Sequence, residues 1–222
     1  MFLEIQDLLT PEEVAQMQEW GRTRRFVDGR VSNPNSPVKN NLQLDTNDPA
    51  FAESARVLAG ALRRCGEFMD FVLPKQVAPP LLCKYAPSMN YGLHADSAIL
   101  PLSPRPIRSD ISGTIFIADP STYEGGELSI QLGTRRIDFK GKPGSAVFYP
   151  STTLHEVKPV ASGERLVAIT FIESQVSDPA CRELLYQLKE LSAQEGLNVS
   201  WENRTRLQYV IASLHRMWGS AS

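Results

Sequence analysis

The stretch between residues 77 and 173 constrains the fold most, because short apolar segments alternate there with glycine, proline, serine and aspartate. Dipeptides such as Gly125-Gly126, Pro143-Gly144 and Ser162-Gly163 mark reversals of the chain. Many short strands at this spacing, without helices between them, favour an antiparallel sandwich or barrel. We therefore predict an all-β core, with strands over residues 111–118, 127–132, 136–139, 146–149 and 166–172.

Helix signals precede this region. Thr10-Pro11-Glu12-Glu13 has the pattern of a capping box with proline at the first helical position, and that helix should end near Gly21. A second helix should begin at Asp48-Pro49, where apolar residues then recur at helical spacing. Between the two helices, Asp28-Gly29 indicates either a hairpin or a sharp bend.

Helix signals return after the strands. Asp178-Pro179 predicts a helix that ends at Gly196, and a last helix should place five apolar residues on one face: Leu207, Val210, Ile211, Leu214 and Trp218. We expect three segments: a mixed helical part over residues 1–76, the strand-rich core over 77–175, and a helical extension over 176–222. The helical flanks could form a homodimer interface.

Composition excludes several classes of protein. The chain of 222 residues has 25 acidic and 23 basic side chains, so its net charge gives no reason to expect nucleic-acid binding. Its three cysteines are too few and too scattered for a disulfide framework. The first residues lack the pattern of a signal peptide, and no apolar stretch approaches a membrane span. We expect a cytoplasmic protein without membrane contact.

Two of the three histidines belong to a candidate metal site. If residues 90–96 are extended, His94 and Asp96 project to the same face and can hold adjacent positions on one ion. His155, just after a predicted strand, completes a set of two histidines and one carboxylate. Such a set occupies one face of an octahedral Fe(II) and leaves the other face open, unlike a structural zinc site. For His215, near the apolar face of the last helix, packing or surface exposure is a better interpretation than metal ligation.

Arg165 is a candidate binding residue. It lies ten residues after His155, across the Ser162-Gly163 reversal, so we expect the two on neighbouring antiparallel strands. The strand that follows is too apolar to be fully exposed, and a buried guanidinium needs an anionic partner. A dicarboxylate co-substrate would be such a partner. A salt bridge to Glu164 or Asp138 is the alternative.

His94-x-Asp96, His155 and Arg165, in this order, resemble the 2-oxoglutarate-dependent dioxygenases related to prolyl 4-hydroxylase. The chain is most similar to the bacterial PKHD-type hydroxylases, and the similarity includes the following motifs: Val27-Asp28-Gly29-Arg30, Val38-Lys39-Asn40-Asn41, Tyr91-Gly92-Leu93-His94-Ala95-Asp96, Arg108-Ser109-Asp110-Ile111-Ser112, Asp119-Pro120, Tyr123-Glu124-Gly125-Gly126-Glu127-Leu128 and Tyr149-Pro150-Ser151.

This resemblance implies a double-stranded β-helix (jelly-roll) with the metal between its two sheets. It also implies Fe(II) ligation by His94, Asp96 and His155, binding of 2-oxoglutarate by Arg165, and Tyr85 placed against that co-substrate. The implied reaction uses O2 to hydroxylate a C–H bond while 2-oxoglutarate is decarboxylated to succinate. Ascorbate would keep the iron reduced.

The sequence is compatible with three functions: this hydroxylase, a catalytically silent β-helix that binds a ligand or partner, and a cupin-like metalloenzyme without a co-substrate. In the cupin-like case an Arg165→Ala variant should keep its activity. The substrate stays open between a peptidyl proline, a free amino acid and a siderophore-like small molecule. Lys39, Asn40 and Asn41 could line a substrate entrance or serve a hairpin, and the sequence does not decide between these alternatives.

Overall fold

The computed structural model describes residues 2–220, and the predicted helices are present on both sides of a strand-rich core. Thr10 and Glu13 form the capping box: the Thr10 hydroxyl accepts from the Glu13 amide, and the Glu13 carboxylate accepts from the Thr10 amide. The carboxylates of Asp48 and Asp178 cap their helices by accepting from backbone amides two or three residues on. The helices are α1 (Pro11–Thr23), α2 (Pro49–Arg64), α3 (Gly66–Val72), α4 (Pro179–Glu195) and α5 (Trp201–Trp218), with short 3-10 turns at Gly29–Ser32, Pro120–Thr122 and Gly196–Asn198.

The strands are short and pair in antiparallel fashion, as the punctuation of the sequence predicts. They are β1 (Leu3–Ile5), β2 (Phe26–Asp28), β3 (Lys39–Asn40), β4 (Leu42–Leu44), β5 (Pro74–Val77), β6 (Leu81–Tyr85), β7 (Asn90–His94), β8 (Ile99–Leu100), β9 (Ile107–Arg108), β10 (Ile111–Phe116), β11 (Glu124–Gly125), β12 (Leu128–Leu132), β13 (Arg135–Phe139), β14 (Ala146–Pro150), β15 (His155–Val157), β16 (Val160–Ser162) and β17 (Arg165–Ser174). Asp28-Gly29 forms the sharp bend and no hairpin, since β2 pairs with β4.

Two sheets form the core. The larger has the order β1-β14-β10-β17-β6-β4-β2, with β5 also paired to β17, and the smaller has the order β13-β12-β15-β7-β3. The chain crosses repeatedly between them, because β6, β10, β14 and β17 lie in the larger sheet and β7, β12, β13 and β15 in the smaller. The prediction of an all-β core with flanking helices is confirmed.

This topology corrects one expectation about the site. Arg165 begins β17 in the larger sheet, whereas His155 begins β15 in the smaller sheet, so the two do not lie on neighbouring strands. After His155 the chain forms β16, which pairs with β11, and the reversal at Ser162-Gly163 then carries it across to the other sheet. The two residues therefore face each other from opposite walls.

Apolar packing holds the layers together. Side chains from the two inner faces meet in one cluster, including Val147 and Val167 from the larger sheet and Ile130 and Val157 from the smaller. Helices α1 to α3 cover the outer face of the larger sheet. Ile211, Leu214 and Trp218 of α5 pack beside α4, while Val210 of the predicted apolar face is exposed. Among residues 2–220, no helix is both long and apolar enough to cross a membrane.

Candidate active site

His94, Asp96 and His155 converge at one end of the smaller sheet. His94 is the last residue of β7 and His155 the first of β15, and their Cα atoms are direct cross-strand partners. Asp96 follows two residues after β7. Its carboxylate oxygens lie 3.8 Å from the Nε2 atom of His94 and 3.7 Å from that of His155. One ligand atom from each residue lies within 4.8 Å of the others.

These separations suit a single small cation. Two ligands at right angles on a metal with bonds of about 2.1 Å lie about 3 Å apart. The observed distances from the two Nε2 atoms to the Asp96 oxygens, 3.8 and 3.7 Å, exceed this value by less than about 1 Å. No two ligand atoms of the set are more than 4.8 Å apart, so the three residues lie close enough together to hold one ion.

Backbone carbonyls fix the orientation of both imidazoles. The Nδ1 atom of His94 lies 2.8 Å from the carbonyl oxygen of Gly92, and that of His155 lies 2.9 Å from the carbonyl oxygen of Thr153. Because a carbonyl oxygen only accepts, each Nδ1 carries the hydrogen and donates it. The lone pairs of both Nε2 atoms are therefore free and point toward Asp96, which is the tautomer that a metal requires.

Aromatic rings support the two histidines. Tyr91 stacks on His94, with 3.6 Å between ring centroids and 13° between ring planes, and Tyr149 meets the His155 ring edge-on at 5.0 Å. Burial, and then the nearby His155, lower the pKa of His94, so its neutral form is favoured. A neutral imidazole is the form that binds a metal.

A chain of buried serines holds Asp96. The Ser112 hydroxyl donates to Oδ2 of Asp96 at 2.5 Å, the Ser151 hydroxyl lies 2.8 Å from that of Ser112, and the Ser109 hydroxyl lies 2.7 Å from that of Ser151. The three linked hydroxyl groups engage Oδ2 of Asp96 and leave Oδ1 available to bind a metal. Sequence reasoning assigned these serines no role, although two of the motifs that carry the family resemblance contain them.

Arg165 occupies the opposite wall and is 1% exposed. Its guanidinium lies 4.9 Å from the ring centroid of Tyr85, its cross-strand partner. The Nε and Nη1 atoms are buried without a hydrogen-bond partner. The two carboxylates of the salt-bridge alternative pair elsewhere, Glu164 with Lys84 at 3.2 Å and Asp138 with Lys158 at 2.6 Å. Two buried N–H groups of Arg165 are thus free to bind an anion.

One cavity of about 560 Å³ joins these features. Its lining includes all five of the predicted site residues: Tyr85, His94, Asp96, His155 and Arg165. The volume lies within the range of roughly 300–1,000 Å³ that is usual for small-molecule sites. His215 is outside it, on α5, where its Nε2 atom lies 2.8 Å from Oε1 of Gln175.

Comparisons with known proteins agree with this geometry. Residues 81–173 match the model of the 2OG-Fe(II) oxygenase superfamily. The chain is 48% identical over 211 residues to a PKHD-type hydroxylase of Sphingopyxis alaskensis, a match that covers 95% of this chain and 96% of the relative. It belongs to the PKHD-type hydroxylases. A second such hydroxylase, from Alteromonas mediterranea, is 41% identical, with 91% of each chain covered.

A solved structure supports the fold of this PKHD-type hydroxylase. The prolyl-4-hydroxylase of Pseudomonas putida superposes with a TM-score of 0.52 at 17% identity, covering 78% of this chain and 92% of that one. The predicted jelly-roll fold is confirmed. The hydroxylase is a 2-oxoglutarate-dependent dioxygenase by family, and Fe(II) and 2-oxoglutarate are the metal and co-substrate that this family implies.

Proposed function

We propose that this hydroxylase binds Fe(II) through His94, Asp96 and His155, binds 2-oxoglutarate through Arg165, and hydroxylates a C–H bond of a second molecule. One observation carries the proposal: a three-ligand cluster and a buried guanidinium with two partnerless nitrogen atoms face each other across the same cavity. Neither feature alone is specific. Together they match a co-substrate that has a metal-chelating end and a distal carboxylate.

The donor set suits iron. Two imidazole nitrogens and one carboxylate oxygen form the facial arrangement that non-haem Fe(II) oxygenases use. Within residues 2–220 the cluster of possible ligands contains these three residues and no fourth, which leaves positions for the co-substrate and for O2. When bound, Fe(II) and 2-oxoglutarate supply the oxidising chemistry, in which O2 is consumed and succinate and CO2 are formed. Ascorbate would maintain the ferrous state.

The protein's own contribution is to bind, orient and exclude water. Arg165 can donate charge-assisted hydrogen bonds to a distal carboxylate, and the Tyr85 ring beneath the guanidinium fixes its plane. Tyr149 and Val157, both buried, line the space between the two walls and keep it largely apolar. Burial raises the pKa of Tyr149 well above its usual value, so this tyrosine stays a neutral hydrogen-bonding group.

The test is oxygen-dependent conversion of 2-oxoglutarate to succinate. Protein loaded with Fe(II) and 2-oxoglutarate without oxygen should release succinate when air and a panel of candidate substrates are added. His155→Ala should abolish the release. His215→Ala, the matched control, removes a histidine that hydrogen-bonds Gln175 far from the site and should leave the release unchanged. Binding of both Fe(II) and 2-oxoglutarate without any succinate would favour the silent β-helix instead.

A further inference from the structure

The segment from Lys39 to Gln43 closes one side of the cavity with buried polar side chains. Lys39 lies on β3, which pairs with β7 of the smaller sheet, and Gln43 lies on β4, which pairs with β6 of the larger. Lys39, Asn41 and Gln43 are 8%, 3% and 3% exposed and all line the cavity, whereas Asn40 points outward and is exposed. The sequence left open whether this segment lines a substrate entrance or serves a hairpin, and the structure favours the entrance for Lys39 and Asn41.

Lys39 is a buried cation, and the two carboxylates near enough to attract it are engaged elsewhere: Asp28 is bound by Arg30, and Asp96 is a candidate metal ligand. The Nζ atom of Lys39 donates to the Ser32 hydroxyl at 2.8 Å, and no acidic side chain between residues 2 and 220 forms an ion pair with it. The Nζ atom lies 5.6 Å from the ring centroid of Tyr91, and that ring stacks on His94. An ammonium group has three donors, so hydrogen-bonding capacity remains beside the metal ligands.

The charges in the cavity leave Lys39 unbalanced. Among the described residues that line the cavity, three have Lys, Arg, Asp or Glu side chains: Lys39, Asp96 and Arg165. With the proposed function, Fe(II) and the doubly charged 2-oxoglutarate neutralise each other, and Asp96 and Arg165 do the same. The ammonium of Lys39 then needs an anion, because a buried, unpaired charge is costly. The second molecule is the remaining source of one.

Gln43 adds a hydrogen-bond acceptor. Its Oε1 atom is buried and has no partner, so an N–H group on the bound molecule would satisfy it. Asn41 also has an unpaired Oδ1, but this atom packs against Gly29, where a Cβ atom would come within 1.9 Å of it. Asn41 therefore closes the wall, and Gln43 is the better contact.

The remaining lining near the mouth is largely apolar. It includes Ile99, Leu100, Pro101 and Leu102, which follow Asp96 in the chain, and Leu128, Val157 and Ile169 deeper in the cavity. A bound molecule with a polar end at the Lys39–Gln43 segment would have its carbon atoms against these side chains. That placement brings C–H bonds toward the open side of the three metal ligands.

We propose that the substrate is a carboxylic acid with a neighbouring amide N–H group, an N-acylated α-amino acid. Its carboxylate binds Nζ of Lys39, its N–H donates to Oε1 of Gln43, and its aliphatic side chain extends toward the metal ligands. This assignment rests on the proposed function and names its substrate class.

The test compares acids with their amides on protein loaded with Mn(II) and 2-oxoglutarate. Calorimetric titration would use L-leucine, L-lysine, their N-acetyl derivatives and the primary amide of each. At least one acid should bind roughly 10- to 100-fold more tightly than its amide, the range expected for a charge-assisted hydrogen bond. The N-acetyl acids should bind more tightly than the free amino acids, whose ammonium would add another unpaired cation to the cavity; the opposite order would count against the assignment.

Three variants separate the roles. Lys39→Met should remove the preference for the acid while Lys39→Arg keeps most of it, and Gln43→Met should weaken acid and amide alike, since both carry the N–H. In Lys39→Met, the affinity for 2-oxoglutarate should change far less than the affinity for the acid. The assignment is overturned if no acid is preferred over its amide, or if Lys39→Met weakens 2-oxoglutarate as much as it weakens the acid. Failure of the Mn(II)-loaded wild type to bind 2-oxoglutarate would overturn the proposed function as well.

Discussion

Replacing Arg165 with methionine should have opposite effects on stability and on ligand binding. In the ligand-free protein the Nε and Nη1 atoms of Arg165 are buried without partners, and each such group costs about 1–3 kcal/mol. The guanidinium also gains up to about 2 kcal/mol from its contact with the Tyr85 ring. With that contact deducted in full from the roughly 2–6 kcal/mol that the two groups cost together, Arg165→Met should raise the free energy of unfolding by up to about 4 kcal/mol, at roughly 2–4 °C in Tm per kcal/mol for a chain of this size.

The same substitution should nearly abolish binding of 2-oxoglutarate. Two charge-assisted hydrogen bonds contribute about 3–6 kcal/mol, so the Kd should rise by roughly 100- to 10,000-fold. Thermal unfolding with Mn(II), with and without 2-oxoglutarate, measures both effects. At 10 times the wild-type Kd the ligand should stabilise the wild type by about 1.4 kcal/mol and leave the variant essentially unchanged.

Arg136→Met is the matched control, because Arg136 is half exposed and pairs with Glu156 outside the cavity. This variant should shift the Tm of the ligand-free protein by no more than about a degree or two. Its stabilisation by 2-oxoglutarate should equal that of the wild type. The reasoning is refuted if Arg165→Met is less stable than the wild type without ligand, or if 2-oxoglutarate still stabilises it. Retained activity would favour the cupin-like alternative.

Three further predictions concern the metal ligands and the turns. Ser112→Ala removes the 2.5 Å hydrogen bond to Asp96 and should weaken Mn(II) binding about 10- to 100-fold in an EPR titration, whereas Ser54→Ala, in a buried serine of α2, should not. Because the pKa of His94 is lowered, protons should compete with the metal only below about pH 6.5; affinity that already falls between pH 8 and 7 would contradict this. Gly125 has a φ of +72°, and a Cβ atom there would lie 2.2 Å from the carbonyl oxygen of Pro159, so Gly125→Ala should cost more than about 1 kcal/mol in urea unfolding. Gly133→Ala, with a φ of +59° and open space around it, should cost less.

Local signals in the sequence predicted most of the elements. Thr10, Asp48 and Asp178 cap helices through hydrogen bonds to residues two or three positions away, so a short window of sequence contains the whole interaction. Glycine and proline likewise mark reversals because they act on the backbone at their own position. The candidate metal ligands were identifiable because the chain has only three histidines.

Long-range relations could not be predicted in the same way. The Ser162-Gly163 reversal has the same local pattern whether the next strand pairs beside the last one or crosses to the other sheet, and Arg165 was placed wrongly for that reason. Ser112 and Ser151 meet although 39 residues separate them. Lys39 and Gln43 have the polarity of a surface loop, and only the crossing between the sheets buries them. The role of Tyr85 against the co-substrate stays a prediction.

The most direct measurement is a crystal structure of the protein grown without oxygen with Fe(II) and 2-oxoglutarate, with the metal located by anomalous scattering at the iron edge. We expect one iron, bound by Nε2 of His94, Nε2 of His155 and one oxygen of Asp96, with the distal carboxylate of 2-oxoglutarate on Arg165. An iron bound by a fourth protein ligand, or by a set without His155, would contradict the account, as would 2-oxoglutarate bound away from Arg165.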